Sequence, residues 1–235
     1  MKTLHINERE YLIEELFVRG RSSSVRVKDG KIVIRLSRFL ALSQRDKIVE
    51  DFLVWAKKRL SKVSASTFKM PTYEDGSIIC THNKTYEIRI VLEERSKCSV
   101  SMEAGLIFLR FPENVRDVEM KVRFLTEKFI MEDQLDYLKE VLDELNQLHF
   151  RVKYKSCRFK RMRVRFGSCS SKGNLNFAFR LLFASREVFR YVCVHELCHL
   201  KEFNHSAKFW DLVKSAMPNY KESENWLKHN GFLLG

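Results

Sequence analysis

The chain contains few of the residues that interrupt regular structure. Its 235 residues include only 8 Gly and 3 Pro, which excludes collagen-like, Pro-rich and linker-dominated architectures. Hydrophobic residues make up 45% of the chain and charged residues 31%, a mixture that excludes intrinsic disorder as a global description. No stretch approaches the roughly 18 uncharged apolar residues needed to span a bilayer. The N-terminal residues MKTLHINEREYLIEE also lack the apolar run of a signal peptide. We therefore expect a cytoplasmic protein with no membrane partner.

The six cysteines form no C-x-x-C pair. Thiols stay free in a reducing cytoplasm, so we expect most of these side chains to act as small buried apolar groups.

Positive charge is in excess. There are 43 Lys and Arg against 30 Asp and Glu, a net charge of +13, which attracts polyanions without specifying a sequence. Basic residues are dense from Arg151 onward, and Met162, Val164 and Phe166 alternate with arginines. This alternation predicts a strand with one apolar and one basic face. Two interpretations stay open: a solvated edge strand protected by its charges, or a basic face, spanning Arg151 to Arg165, that binds nucleic acid.

Hairpin and helix signals recur in the first half of the chain. Residues 24–35 have apolar runs around Asp29-Gly30, which predicts a β-hairpin, and helical spacing of apolar residues follows. Residues 99–110 resemble residues 24–35 position for position around their Gly, and helical spacing follows again. This predicts an internal repeat of a hairpin and a helix, with chance similarity as the alternative, since two copies are too few for a solenoid.

The second half begins with a helical pattern and continues with strands. Residues 113–149 contain no Gly or Pro and carry leucines at helical spacing, which predicts one long helix or two abutting ones. After the turn residues 167–173, apolar alternation over residues 175–183 predicts a further strand.

The segment that most strongly indicates a functional site is His195-Glu196-Leu197-Cys198-His199. It interrupts an almost wholly apolar stretch, residues 188–203, which predicts a buried helix with Ser185 as its N-cap. Ionisable groups are costly in such a helix unless they have a partner. Residues four apart project from one helix face, so the two imidazoles can bind one metal ion. The H-E-x-x-H pattern arises by chance only roughly 0.02 times in a chain of this composition.

His205 is the candidate for a third metal ligand. It follows Asn204, which tolerates the left-handed backbone that ends a helix and turns the chain back. Three protein ligands leave a fourth position for water, which distinguishes catalytic from structural zinc. We predict Zn²⁺ at His195, His199 and His205, although three imidazoles also suit other divalent metals.

Two cysteines near the motif are rival ligands. Cys193 and Cys198 lie close to the histidines in sequence. Cys198 is about 100° round the helix from His199, so we expect it to point into the core.

The predicted activity is hydrolysis of a peptide or protein substrate. Zinc lowers the pKa of a bound water and polarises a carbonyl, and Glu196 is placed to act as general base and then to protonate the leaving amine. The alternative function is a basic nucleic-acid-associated protein, with structural zinc or with a protease tethered to DNA.

The chain also resembles the YgjP-like zinc metallopeptidases. The similarity is carried by residues 163–170, 173–176, 180–181, 195–200, 204–206, 209–210, 217–220 and 226–228. Phe166 stands where the family usually has Trp, which preserves an aromatic ring. The resemblance implies a compact zincin with a backing helix, a small sheet and an active-site helix, in which the three histidines bind zinc and Glu196 is the base. The family is similar to the WLM and SprT proteases that act on DNA-crosslinked proteins, an analogy that would give the positive charge a purpose.

Four further residues are weaker candidates. Asn176 and Arg180 would contact a substrate backbone added as a strand along residues 175–183. Tyr220 would supply a phenol near the developing oxyanion, with a packed surface tyrosine as the alternative. Met217 would lie beneath the zinc, with a core methionine as the alternative.

The predicted fold class is α+β with two domains. Residues 1–112 are expected to form a basic N-terminal α+β region with hairpins, and residues 113–235 a zincin-like metallopeptidase domain. The oligomeric state is left open by the sequence.

Overall fold

A computed structural model describes residues 2–6, 9–28, 31–60 and 71–234. Contacts divide the chain into two compact units, Met1–Met70 with Asn225–Gly235 and Pro71–Glu224. This division differs from the predicted domains, residues 1–112 and 113–235, which stay predictions. Within the described ranges, no helix is both long enough and apolar enough to cross a membrane.

The first unit contains a four-stranded sheet and a helix. Its elements are β1 (Lys2–Ile6), β2 (Arg9–Val18), β3 (Ser24–Lys28), β4 (Lys31–Ser37) and α1 (Leu42–Leu60). The strand order is β1-β2-β4-β3, with β2 parallel to β4 and β3 antiparallel to it. Alternate residues of β4, namely Ile32, Ile34 and Leu36, are buried in one core with Ala56 and Leu60 of α1. The β3–β4 hairpin is therefore confirmed, while its predicted turn at residues 29–30 lies outside the described residues.

The second unit begins with the same arrangement, which confirms the predicted repeat. Its strands β5 (Ile78–Cys80), β6 (Thr85–Glu93), β7 (Ser99–Glu103) and β8 (Leu106–Pro112) have the order β5-β6-β8-β7. The register is also the same. Val25 pairs with Ile34, and Val100 pairs with Leu109, 75 residues later in the sequence. A helix follows the fourth strand in both copies, so the two copies share order, direction and pairing.

Two abutting helices follow, as one of the two predicted alternatives requires. They are α2 (Val118–Asp133) and α3 (Leu135–Leu145), and a π-helical turn, Asn146–Phe150, extends α3. At their junction Gln134 donates to the Tyr86 hydroxyl, which donates to Asp133, each at 2.6 Å. The buried face of α3 packs against the next strand, β9 (Ser156–Lys160), and against the helix of the candidate site, α4 (Arg186–Cys198).

A three-stranded sheet follows, in the order β10-β11-β9. Its strands are β9 (Ser156–Lys160), β10 (Gly167–Cys169) and β11 (Asn174–Ala178). The strand predicted over residues 162–166 is wrong, because the chain leaves the sheet after β9. After β9 the Arg161 side chain forms an ion pair with Glu127 of α2, and Val164 is 87% exposed.

The strand predicted over residues 175–183 is correct only for its first half. It ends at Ala178, and a 3-10 turn, Phe179–Phe183, buries both Leu181 and Leu182. Moreover β11 pairs with β10 on one side and β9 on the other. It is therefore the central strand and has no edge open to a substrate strand.

Three helices complete the chain: α4 (Arg186–Cys198), α5 (Ala207–Ala216) and α6 (Tyr220–Asn230), followed by a 3-10 turn, Gly231–Leu234. The predicted N-cap is confirmed, since the Ser185 hydroxyl accepts a hydrogen bond from the Val188 amide. The helix ends at Cys198, before the predicted residue 203. The mixture of helices and small mixed sheets confirms the α+β fold class.

Candidate metal centre

Three imidazole rings converge at the end of α4. His195 and His199 lie one turn apart, and His205 comes from the segment after the helix. One ligand atom from each of the three lies within 4.8 Å of the others. The Nε2 atoms of His195 and His205 are 3.0 Å apart. Among the described residues, these three form the one cluster of histidine, cysteine or acidic groups close enough to share a metal ion.

Burial and hydrogen bonding prepare two of these rings to bind a cation. Burial, with the neighbouring His199 and His205, lowers the pKa of His195 to about 3, so the ring is neutral and offers a lone pair. Burial likewise lowers the pKa of His199. The Nδ1 of His199 lies 3.1 Å from the Glu202 carbonyl oxygen. Because a carbonyl only accepts, this contact places the proton on Nδ1 and leaves Nε2 for a metal.

A side-chain cap, rather than a left-handed residue, brings His205 into place. The left-handed backbone expected at Asn204 is wrong, since the described non-glycine residues with positive φ are Ala104, Asp117 and Arg151. Instead the Asn204 carboxamide oxygen accepts from the Ser206 amide at 3.1 Å. The Ser206 hydroxyl in turn caps α5. A local turn of this kind is a common use of Asn.

Phe209 forms the floor of the cluster. Its side chain is fully buried. Its ring centroid lies 4.9, 4.6 and 4.7 Å from those of His195, His199 and His205. One aromatic side chain therefore limits the rotation of all three imidazoles.

Glu196 is buried beside the histidines. It is 4% exposed, and its Oε2 atom has no hydrogen-bond partner among the described residues. Burial raises the pKa of this carboxyl to about 8, and the charge of Arg165 opposes the rise. A buried acceptor without a partner is costly, which fits a group that receives a proton or a water during function.

Gly167 is a site residue that sequence reasoning missed, because it was interpreted as part of a turn. The Glu196 side chain occupies the space where a Cβ at residue 167 would stand. The first residue of β10 therefore leaves the space that the Glu196 carboxylate occupies. The Gly-Ser-Cys tripeptide immediately after an arginine-rich segment was the available signal.

The weaker candidate residues are held by contacts with neighbouring side chains. Asn176 donates to the Ser168 hydroxyl and accepts from Arg158, which ties β11 to both neighbouring strands. Arg180 stacks on the Phe166 ring at 4.1 Å from the centroid. Tyr220 is 8% exposed and is stacked on Trp210, whose ring also stacks on His205. The substrate roles of Asn176, Arg180 and Tyr220 stay predictions, as does the place of Met217 beneath the metal.

Cys198 is buried in the core as expected, and Cys193 is also fully buried. The expectation that most of the six cysteines are buried is wrong, because Cys80 and Cys98 are exposed and Cys157 and Cys169 are half-buried. Neither belongs to the histidine cluster.

Several members of the predicted basic face are engaged within the protein. Arg161 pairs with Glu127 and stacks on the Phe124 ring at 4.5 Å, and Arg158 binds Asn176. Nucleic-acid binding through the face from Arg151 to Arg165 stays a prediction.

The YgjP-like metallopeptidase domain family matches residues 21–230 of this chain. Among solved structures, the metallopeptidase zymogen abylysin of Pyrococcus abyssi is 23% identical, with a TM-score of 0.36, over 38% of this chain and 90% of its own. The metallopeptidase zymogen jannalysin of Methanocaldococcus jannaschii is 22% identical, with a TM-score of 0.35, over 39% of this chain and 93% of its own. No curated protein matches this chain.

Proposed function

The chain belongs to the YgjP-like metallopeptidase family, and we propose that it is a zinc-dependent peptidase in which His195, His199 and His205 hold the metal. The family makes the chain a metal-dependent enzyme that cleaves peptide bonds in a peptide or protein. The observation that carries the zinc assignment is the convergence of three imidazoles within 4.8 Å. Three nitrogen ligands suit zinc and leave a coordination position for substrate chemistry.

The residues present fit such an ion. His195 is kept neutral by burial, the His199 tautomer is set by the Glu202 carbonyl, and Phe209 limits the motion of all three rings. When bound, zinc lowers the pKa of water and polarises a carbonyl oxygen.

Glu196 is the proposed general base. Its Oε2 atom has no partner in the described structure, so it can accept the proton of an attacking water and return it to the leaving amine. The absence of a side chain at Gly167 leaves room for the carboxylate in this position. The single carboxyl group of Glu196 can then serve both steps, the attack of water and the departure of the amine.

The substrate would lie along β10. This strand pairs with β11 on one side, and no described strand pairs with its other side. It begins at Gly167, against Glu196. An extended peptide added to that edge would pass the carboxylate, with main-chain hydrogen bonds providing affinity.

The test compares full-length variants on one peptide substrate that the wild type hydrolyses. We expect Glu196→Gln to keep stoichiometric zinc and to lose hydrolysis, and His199→Ala to lose both. Glu187→Gln, at an exposed carboxylate in the first turn of the same helix, is the matched control and should keep both. Undiminished hydrolysis by Glu196→Gln would exclude it as the base.

A further inference from the structure

One end of the first sheet is formed by two segments without acidic residues, 16–24 and 35–45, which we call the arginine-phenylalanine surface. Together they contain five arginines and no Lys, Asp or Glu: Arg19, Arg21, Arg35, Arg38 and Arg45. Strands β2 and β4 are parallel, so their carboxyl ends meet at this end of the sheet. Leu16 pairs with Arg35, and Val18 pairs with Ser37.

The arginines of this surface have no acidic partner among the residues that the structure describes. Four of them are exposed, and Arg45 is half-buried with its guanidinium 5.0 Å from the centroid of Phe17. No carboxylate of the described residues forms an ion pair with any of the five. Their positive potential therefore faces outward.

The segment that carries Arg38 and Phe39 is held by hydrogen bonds. The Arg38 amide donates to the Val18 carbonyl at 2.9 Å. The Ser37 amide donates to the Ser23 hydroxyl, and the Phe39 amide donates to the Ser37 hydroxyl. These bonds fix a turn from which the Phe39 side chain projects with 75% of its surface exposed. Phe17 is also 47% exposed, so two aromatic rings stand among the arginines.

The second copy of the repeat shows that the fold does not require an excess of positive charge at these positions. Its corresponding segments, 91–99 and 110–120, contain five acidic residues and four basic ones. Arg19 corresponds to Glu94 and Arg38 corresponds to Glu113, with the same strand register in both copies. The same backbone arrangement thus carries a surface without acidic residues in the first copy and a surface of mixed charge in the second.

We propose that the arginine-phenylalanine surface binds single-stranded nucleic acid. Guanidinium groups pair with phosphate oxygens in a fork geometry that Lys lacks, and they also stack on flat rings. Unpaired bases stack on exposed aromatic side chains, which Phe17 and Phe39 provide, whereas the bases of a duplex are already stacked. Anionic lipid is the competing ligand, since Leu16 and Leu42 are also exposed. The absence of lysine and the two exposed aromatic rings favour nucleic acid.

The test measures binding of the full-length protein to a fluorescein-labelled dT15 strand, to a duplex of equal length and to phosphatidylserine-containing vesicles. The variant Arg19→Ala, Arg21→Ala, Arg38→Ala removes three exposed charges from the surface. The matched control, Lys121→Ala, Lys172→Ala, Lys214→Ala, removes three exposed charges that lie outside this surface and outside the face from Arg151 to Arg165.

We expect the surface variant to weaken dT15 binding at least about tenfold and to reduce the slope of log K against log salt by about 2. The control should change affinity less than about twofold. Equal losses in the two variants, or loss only in the control, would overturn the proposal, as would binding of the vesicles without binding of dT15.

A second variant separates base stacking from charge. Phe39→Ala should weaken dT15 binding about fivefold or more and leave duplex binding unchanged, because Phe39 carries no charge. Its side chain is largely exposed, so the fold should tolerate the change, which circular dichroism verifies. Unchanged dT15 binding by this variant would exclude the single-strand assignment.

Discussion

Gly167 packs so closely against Glu196 that a methyl group at residue 167 would overlap the carboxylate side chain. The glycine begins β10, and the glutamate lies in α4. The contact therefore joins the edge strand of the small sheet to the helix that carries the histidines. It makes Gly167 a positioning residue for the proposed base.

Replacing this glycine should reduce turnover without removing zinc. In Gly167→Ala the new methyl group must displace Glu196, and a displacement of about 1 Å at a reacting group can cost about a hundredfold in rate. We expect a fall in kcat of at least about tenfold, with zinc content at the wild-type level. Gly20→Ala, at a glycine whose added Cβ would meet nothing within 4 Å, is the control. A wild-type kcat for Gly167→Ala would contradict the positioning role.

Removing the third imidazole should weaken metal binding. In His205→Ala, His195 and His199 are left to hold the ion, so the zinc retained after dialysis against a weak chelator should fall well below one per chain. Metal analysis of the purified protein provides the measurement. His149→Ala, at an exposed histidine, should retain full zinc. Stoichiometric zinc in His205→Ala would show that another group completes the site.

Zinc should also stabilise the folded chain. A ligand that binds only the native state adds about 4 kcal/mol to the unfolding free energy when present at a thousand times its Kd. Thermal unfolding of the wild type should therefore shift upward when zinc is added back after chelation. His199→Ala should show little or no shift, and an equal shift in that variant would place the stabilising ion elsewhere.

Asp133 should stabilise the folded protein at the junction of α2 and α3. Its carboxylate accepts from the Tyr86 hydroxyl at 2.6 Å and from the Lys84 ammonium at 2.7 Å. Loss of hydrogen bonds to a charged group costs about 1.5–3 kcal/mol, so Asp133→Ala should lower the unfolding free energy by that amount in urea titrations. Asp136→Ala breaks an exposed pair with Lys139 and should cost under about 0.5 kcal/mol. Equal losses of unfolding free energy in Asp133→Ala and Asp136→Ala would contradict this stabilising role of Asp133.

The elements that the sequence predicts well are those with a strong local signal. The Ser185 cap and the H-E-x-x-H spacing depend on contacts within one turn of helix, so the helix and its chemistry can be read from neighbouring residues. The repeat was visible because two segments keep the same apolar pattern around a glycine.

The predicted strands failed where tertiary contacts override a short alternation. Arg161 continues the period-two pattern in sequence, but its guanidinium pairs with the buried Glu127, and β9 ends at the residue before it. At Leu181 and Leu182 two successive side chains are buried, which a flat strand facing one core does not permit. Such short patterns fit a loop or a 3-10 turn equally well.

The role of Gly167 could not be predicted because it depends on a distant segment. Its contact with Glu196 forms only after β10 has packed on α4. In the sequence the Gly-Ser-Cys tripeptide marks a turn, but no local pattern indicates the contact of Gly167 with Glu196.

The two copies keep equal spacing between corresponding strand pairs, so a segment of one copy has the same length as its counterpart in the other. Residues 16–24 and 35–45 can be exchanged for residues 91–99 and 110–120 without lengthening or shortening any connection. Such a chimera would change the net charge of the two segments from +5 to −1. Ile32 and Ile34 of β4 would stay in place and Phe111 would replace the buried Leu36, so the molecule supplies its own template for redesign.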